Sequence, residues 1–116
     1  MMKLALKILV ISGVLSQNIY AMPDVSKALK EVSFVTQKEK SLTLDKYRGK
    51  VMLVFFGYTN CPDICPTTML DIRKSLKELG DIADKVQPIF ISVDYQRDTP
   101  QIITKYVNFF DDRILG

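Results

Sequence analysis

The chain of 116 residues contains no histidine. That absence removes every in-chain Ser–His or Cys–His catalytic pair and every imidazole metal ligand. Cysteine is scarce too: the two present, Cys61 and Cys65, lie close together. One close pair is not a disulfide framework; it points to redox or metal chemistry. Acidic residues are missing before Asp24, and arginine is missing before Arg48. No repeat, low-complexity tract or linker interrupts the chain. What is there, 47% hydrophobic and 25% charged residues, suits one small globular domain and excludes a disordered, collagenous or coiled-coil chain.

The formal net charge is +3, and part of it is local. Without residues 1–21, which hold Lys3 and Lys7, 14 Lys+Arg face 13 Asp+Glu. Such a balance gives no argument for nucleic acid or an anionic membrane as a partner.

The first residues have the pattern of an export signal. Lys3 and Lys7 precede an apolar core from Ile8 to Leu15. Ile19-Tyr20-Ala21 offers a cleavage site, although Ile19 is larger than the usual small residue. The arginine-poor start argues against a mitochondrial presequence. An uncleaved anchor is the competing reading: Leu4 to Met22 would span about 28 Å as a helix, at ~1.5 Å per residue. Lys7, Gln17 and Asn18 spoil that span. The expectation is therefore a signal peptide or membrane anchor at residues 1–21 and an exported domain at 22–116. Export places the cysteines where disulfides persist.

Residues 22–30 read as a short tether. Val32 to Thr36 alternates and ends in the polar run Gln37 to Lys40; Ser41 to Leu44 returns as the second arm of a hairpin. Asp45 to Gly49 reads as a turn or a single helical turn. Val51 to Gly57 is a continuous apolar run, which suits a strand of a parallel sheet covered on both faces. Pro66 to Leu79 reads as a helix with proline in its first turn, Gly80 at its C-terminal cap and Met69, Ile72, Leu76 and Leu79 on one face. Val86 to Asp94 holds a second buried strand. Asp98-Thr99-Pro100 opens another helix, with an apolar stripe of Ile102, Ile103, Tyr106, Val107 and Phe110. The order hairpin, strand, helix, strand, helix predicts an α/β fold with parallel neighbours.

Cys61-Pro62-Asp63-Ile64-Cys65 sits directly after a buried strand and before a helix. Helix-start N–H groups favour anions and lower a thiol's pKa, giving the thiolate that binds soft metals and attacks disulfides. On a regular helix, positions i and i+4 have Cβ atoms roughly 5–6 Å apart. A disulfide wants about 3.5–4.5 Å. A metal between two sulfurs, each at roughly 2.3 Å, tolerates the longer separation. Helical geometry therefore favours metal. The two prolines leave a non-helical loop, and with it a disulfide, open; an incidental structural pair is the bland reading. Structural zinc usually wants four N/S ligands and iron–sulfur clusters four cysteines. Cu(I) accepts few soft ligands and is the best match. Met69, one turn beyond Cys65, carries a thioether, but its place on the apolar stripe reads as core.

The segment Phe56-Gly57-Tyr58-Thr59-Asn60-Cys61-Pro62-Asp63-Ile64-Cys65-Pro66-Thr67-Thr68 closely resembles the metal-binding segment of the SCO/SenC family. Ile91-Ser92-Val93-Asp94, followed by Arg97-Asp98-Thr99-Pro100, resembles a second motif of that family. The resemblance runs from about Phe34 to Gly116. It implies a thioredoxin-like fold, a position in the periplasm or on the periplasmic face of the inner membrane, and a metallochaperone role. The cargo would be copper and the partner cytochrome c oxidase subunit II. The family's two cysteines map onto Cys61 and Cys65. Its aspartate maps onto Asp94, as a supporting group rather than a ligand, against a reading as a strand-end turn former. Asn60 and Tyr95-Gln96 depart from the commoner family residues. The family's third copper ligand, a histidine downstream of the second helix, has no counterpart.

Set against the family, the chain is expected to be incomplete at its C-terminus, with Val51 to Gly57 left as an apolar edge strand open on one side. Three functions compete: a copper-binding assembly factor that is not an enzyme, a thiol–disulfide oxidoreductase using the same cysteines, and a truncated product without function. Cys-x₃-Cys rather than Cys-x₂-Cys favours the first. A peroxiredoxin-like peroxidase, suggested by Thr59, is weaker because the whole loop resembles the SCO/SenC segment.

Overall fold

A computed structural model describes residues 26–38 and 40–116. The signal or anchor expected at residues 1–21 lies outside the described residues. No described helix is long and apolar enough to cross a membrane.

The expected tether contains a short helix, α1, Ser26–Glu31. The hairpin is present but short: β1, Ser33–Phe34, pairs antiparallel with β2, Leu42–Thr43. Leu42 is buried on the second arm, whereas Val32 and Val35 on the first arm are exposed. With few apolar side chains held against a core, little fixes a longer register. A 3₁₀ turn, Leu44–Tyr47, follows, and the Arg48 guanidinium bonds the Asp45 carboxylate at 2.7 Å. Gly49, at φ +90°, then swings the chain into the sheet, a conformation that suits glycine alone.

The sheet proper is two parallel strands, β3, Val51–Gly57, and β4, Val86–Ser92, in register from Val51–Val86 to Gly57–Ser92. Between them run α2, Ile64–Leu79, and a 3₁₀ turn, Gly80–Lys85. Gly80, at φ +55°, closes α2 as its sequence position predicted. The last helix, α3, Pro100–Phe110, is capped by the Thr99 hydroxyl, which accepts from the Ile102 N–H at 3.3 Å. Beyond it Leu115 bridges in parallel to Ile89 on the far side of β4.

Met69, Ile72 and Leu76 of α2 and Ile103, Val107 and Phe110 of α3 close over Phe90 of β4, with Ala83 and Ile114 completing the core. Through it runs an aromatic row, Phe55–Phe90–Tyr106–Phe110, with successive centroids 5.7, 5.5 and 5.2 Å apart. Each such pair adds about 0.5–1.5 kcal/mol beyond its buried area. Met69 is fully buried here, so its thioether is a core group.

Three expectations need correction. The helix begins at Ile64, not Pro66, which places Cys65 inside its first turn. Leu79 and Ile102 are exposed at 40% and 45%, because the stripes of α2 and α3 are covered only where the helices meet the sheet and each other. The run Val51–Gly57 is not covered on both faces: Val51 is 67% and Phe56 62% exposed. Among the described residues β3 has one strand neighbour, β4.

Candidate metal centre

The two cysteines lie at the C-terminal end of β3. Gly57 ends the strand, its carbonyl accepting the Val93 N–H at 2.9 Å. A turn from Tyr58 to Cys61, closed by the Cys61 N–H to the Tyr58 carbonyl at 3.2 Å, lifts the chain off the sheet. Asp63 then occupies the cap position of α2 without a side-chain cap bond. In its place the Cys61 sulfur accepts the Cys65 N–H at 3.4 Å. A sulfur therefore answers one of the first-turn donors that a helix leaves unpaired, and the positive end of α2 faces it.

Both cysteines are free thiols, Cys61 half-buried and Cys65 buried. Their environments push the two thiols apart. The Cys65 side chain, hydrogen-bonded to Cys61, lowers the Cys61 pKa; desolvation opposes this, and the Asp63 and Cys65 N–H groups and the Tyr58 hydroxyl reinforce it. Burial raises Cys65, and its bond to Cys61 raises it further. The two sulfurs are therefore unequal: Cys61 gives up its proton more readily than an ordinary thiol, and Cys65 less readily. The Cys61 charge in turn raises the Tyr58 hydroxyl above its ordinary value. Limited iodoacetamide at neutral pH is expected to alkylate Cys61 first, with Cys65 modified only after unfolding. Peptide mass spectrometry checks this, and equal labelling of the folded chain contradicts it.

Gly57 supplies the floor of the site. A Cβ there would lie 2.9 Å from Phe55 Cε1, 3.0 Å from Phe90 Cε2 and 3.1 Å from Cys65 Sγ. Two rings and a sulfur close on a backbone that has no side chain to resist them. Gly57→Ala is expected to cost roughly 1–3 kcal/mol by overpacking. A fall in the denaturation midpoint measures it, and an unchanged midpoint contradicts it.

The loop is tied down by a residue the sequence reading had not singled out for the site. Asp98, 5% exposed, accepts from the Thr59 N–H at 2.9 Å, the Thr59 hydroxyl at 2.5 Å and the Ser92 hydroxyl at 2.6 Å. It joins the turn before Cys61 to the end of β4. Burial opposes its ionisation, but the Ser92 hydroxyl, the Thr59 hydroxyl and the Thr59 N–H outweigh it, so its pKa lies below the ordinary value of 3.8. The sequence had assigned Asp98 to the start of α3, where Thr99 provides the cap. Asp94, the expected supporting group, sits elsewhere in this network. Its carboxylate pairs with Arg97 Nε at 2.5 Å, and its N–H donates to Ser92 Oγ at 3.1 Å. It reaches the cysteine turn only through Ser92 and Asp98.

What this arrangement can hold is set by its donors. Two sulfurs, the half-buried one with a lowered pKa, form a soft pair at the mouth of a helix. Among the described residues no group of three or more His, Cys, Asp or Glu converges to hold a metal ion. A soft monovalent ion that accepts two sulfurs fits this set; an ion that demands four N/S donors does not.

A SCO2-like protein of Rickettsia prowazekii is 35% identical over 82 residues, covering 71% of this chain and 40% of the relative. The structure of Bradyrhizobium japonicum ScoI with copper bound matches at 48% identity and TM-score 0.64, over 69% of this chain and 51% of that one. BsSco, described as a member of the Sco family of cytochrome c oxidase assembly proteins with a disulfide switch, matches at 32% identity and TM-score 0.55, over 72% and 51%. The chain spans about half the length of these relatives or less. Its fold, over the residues they share, is thioredoxin-like. The SCO1/SenC family model matches residues 21–116, and with these likenesses it establishes that the chain belongs to the SCO1/SenC family.

Proposed function

We propose that this chain carries Cu(I) between Cys61 and Cys65 as a copper-handling factor for cytochrome c oxidase, with subunit II as the acceptor. The observation that carries the proposal is the free, unequal sulfur pair: a half-buried Cys61 with a lowered pKa, backed by a buried Cys65 with a raised one. Copper is the cargo. Cys61 makes first contact because it is the more accessible sulfur, and Cys65 completes the pair by giving up its proton. Loading therefore releases protons from the thiols, and affinity rises with pH until both are deprotonated unaided. Asp98 and Gly57 hold the loop so that both sulfurs face one ion, and Asp94 supports them through Ser92. The copper-bound relative and the oxidase-assembly description of BsSco support the reading. A periplasmic location, behind a signal or anchor at residues 1–21, goes with the same role.

Anaerobic titration of the reduced chain with Cu(I) against a competing chelator tests it. One tight equivalent is expected, with Cu(II) bound weakly because the chain has no imidazole to offer. No affinity above that of a double-serine variant sinks it. A second reading, thiol–disulfide exchange, is favoured by the same asymmetry: an accessible low-pKa sulfur attacks and a buried neighbour resolves. Metal-free turnover of a disulfide substrate, without copper binding, would select it instead.

A further inference from the structure

One polar group in the core does nothing for the metal-free fold. The Tyr106 hydroxyl is buried and, among the described residues, has no hydrogen-bond partner. Its ring is one of four in the aromatic row Phe55–Phe90–Tyr106–Phe110, and the other three are phenylalanines. Phenylalanine would fill the same space without stranding a hydroxyl, and a buried polar group left unpaired costs stability. Packing alone gives no reason for it.

Its surroundings leave one acceptor. Tyr106 packs on Phe90, with ring centroids 5.5 Å apart. Phe90 in turn closes on Gly57, where a Cβ would meet Phe90 Cε2 at 3.0 Å and Cys65 Sγ at 3.1 Å. Met69, one turn along α2 from Cys65, lies in the core that Tyr106 packs against. Tyr106 therefore stands behind the buried member of the cysteine pair. Burial comes first among the causes that raise its pKa, and Cys65, Cys61 and Asp98 follow in that order, so it stays a protonated donor among these three groups. Asp98 is taken, since its carboxylate accepts two bonds from Thr59 and one from Ser92. The Cys61 sulfur already accepts the Cys65 N–H and lies on the more accessible side. The buried Cys65 sulfur has the Tyr58 N–H as its backbone donor, which is thin compensation for a charge.

Holding Cu(I) puts that charge there. The S–H proton leaves to solvent as the Cu–S bond forms, and the sulfur becomes anionic in a water-excluded place. A hydrogen bond to an ionised acceptor is stronger than one between neutral groups. We propose that Tyr106 is a positioning residue: its hydroxyl donates to the Cys65 sulfur when copper is held between the two cysteines, and stands idle when it is not. The inference rests on the copper reading of Cys61 and Cys65 and adds to it a third side chain that is not a ligand.

Tyr106→Phe in the full chain tests this by two measurements on the same samples. The metal-free denaturation midpoint is expected to equal or exceed that of the parent, because no bond is lost. Cu(I) affinity, in anaerobic competition with a chelator, is expected to fall about tenfold. Tyr47→Phe, on the 3₁₀ turn Leu44–Tyr47, should change neither. Nuclear magnetic resonance of the parent, with tyrosine labelled at the ring carbon that bears the hydroxyl, reads the bond directly, since Cu(I) is diamagnetic. The Tyr106 signal, assigned by its contacts with the Phe90 and Phe110 rings, should shift on loading in the sense of a hydrogen-bonded phenol. That measurement stands even if Tyr106→Phe misfolds by circular dichroism. A parent that binds Cu(I) tightly with an unmoved Tyr106 signal, or a folded Tyr106→Phe chain with parental copper affinity, overturns the inference and leaves the copper reading intact. A lower metal-free midpoint in the variant shows a hydroxyl already bonded and overturns it too. A parent with no affinity above that of the double-serine variant takes both down.

Discussion

Replacing Asp98 by alanine will loosen the cysteine turn although Asp98 touches neither cysteine in its hydrogen bonds. Its carboxylate accepts three donors, two from Thr59 and one from Ser92, all within 2.9 Å. Alanine leaves those donors facing each other without an acceptor in a half-buried site. Hydrogen bonds to a charged group are worth roughly 1.5–3 kcal/mol each, and donors stranded by loss of their partner cost more than the net bond, so a loss on the order of 3 kcal/mol is expected. Cu(I) affinity should fall with it by at least about tenfold, one step of 1.4 kcal/mol, because the two sulfurs lose their fixed relation. Asp98→Asn keeps an acceptor and should recover part of both. The sign of the pH dependence follows from the depressed pKa. The stabilisation is fully present above the ordinary carboxylate value of 3.8 and is lost as pH falls through the lower folded value. Denaturant titrations from neutral to acid pH should show that loss in the parent chain and not in Asp98→Asn. Alanine at position 98 with an unchanged midpoint and unchanged copper affinity would falsify the clamp.

Cys61→Ser and Cys65→Ser are expected to abolish Cu(I) binding outright, each alone. With two donors and, among the described residues, no third His, Cys, Asp or Glu converging on them, losing one leaves a single sulfur, which water and buffer ligands outcompete. The drop should reach on the order of a thousandfold, about 4 kcal/mol. The two variants will nevertheless differ. Cys65 is buried against Gly57, so serine there sets a hydroxyl in a closed, water-excluded place and destabilises the fold as well. Cys61 is half-buried, and its serine replacement should leave stability close to that of the parent. Competition titration and thermal unfolding on the same samples separate the two effects. Residual tight binding in either variant would mean that another group supplies a ligand.

Much of the fold was legible one element at a time. Val51–Gly57 is uncharged, β-rich and seven residues long, and it forms a strand. Gly80 and Pro100 mark a helix end and a helix start because their backbone preferences are intrinsic. The helix start at Ile64 was less legible. Pro66 suggested itself as the first-turn residue, but the Cys61 sulfur accepts the Cys65 N–H and draws the first turn upstream. The hairpin's true length was hidden because alternation in Val32–Thr36 says which residues share a face, not which face is buried.

The site divides in the same way. Cys61 and Cys65 were readable because their chemistry is carried by residue type and spacing. Asp98 was not, because its partner Thr59 is 39 positions away and nothing local links them. Asp94 drew attention by its place in a motif, yet its carboxylate turns to Arg97.

By itself, then, the sequence determined the order of the elements, the soft sulfur pair and the exclusion of imidazole, all properties of single residues and short windows. Only the tertiary structure decided which cysteine is buried, which has the lowered pKa and which aspartate clamps the loop. Those depend on burial and on partners distant in the chain, which short-range patterns do not encode.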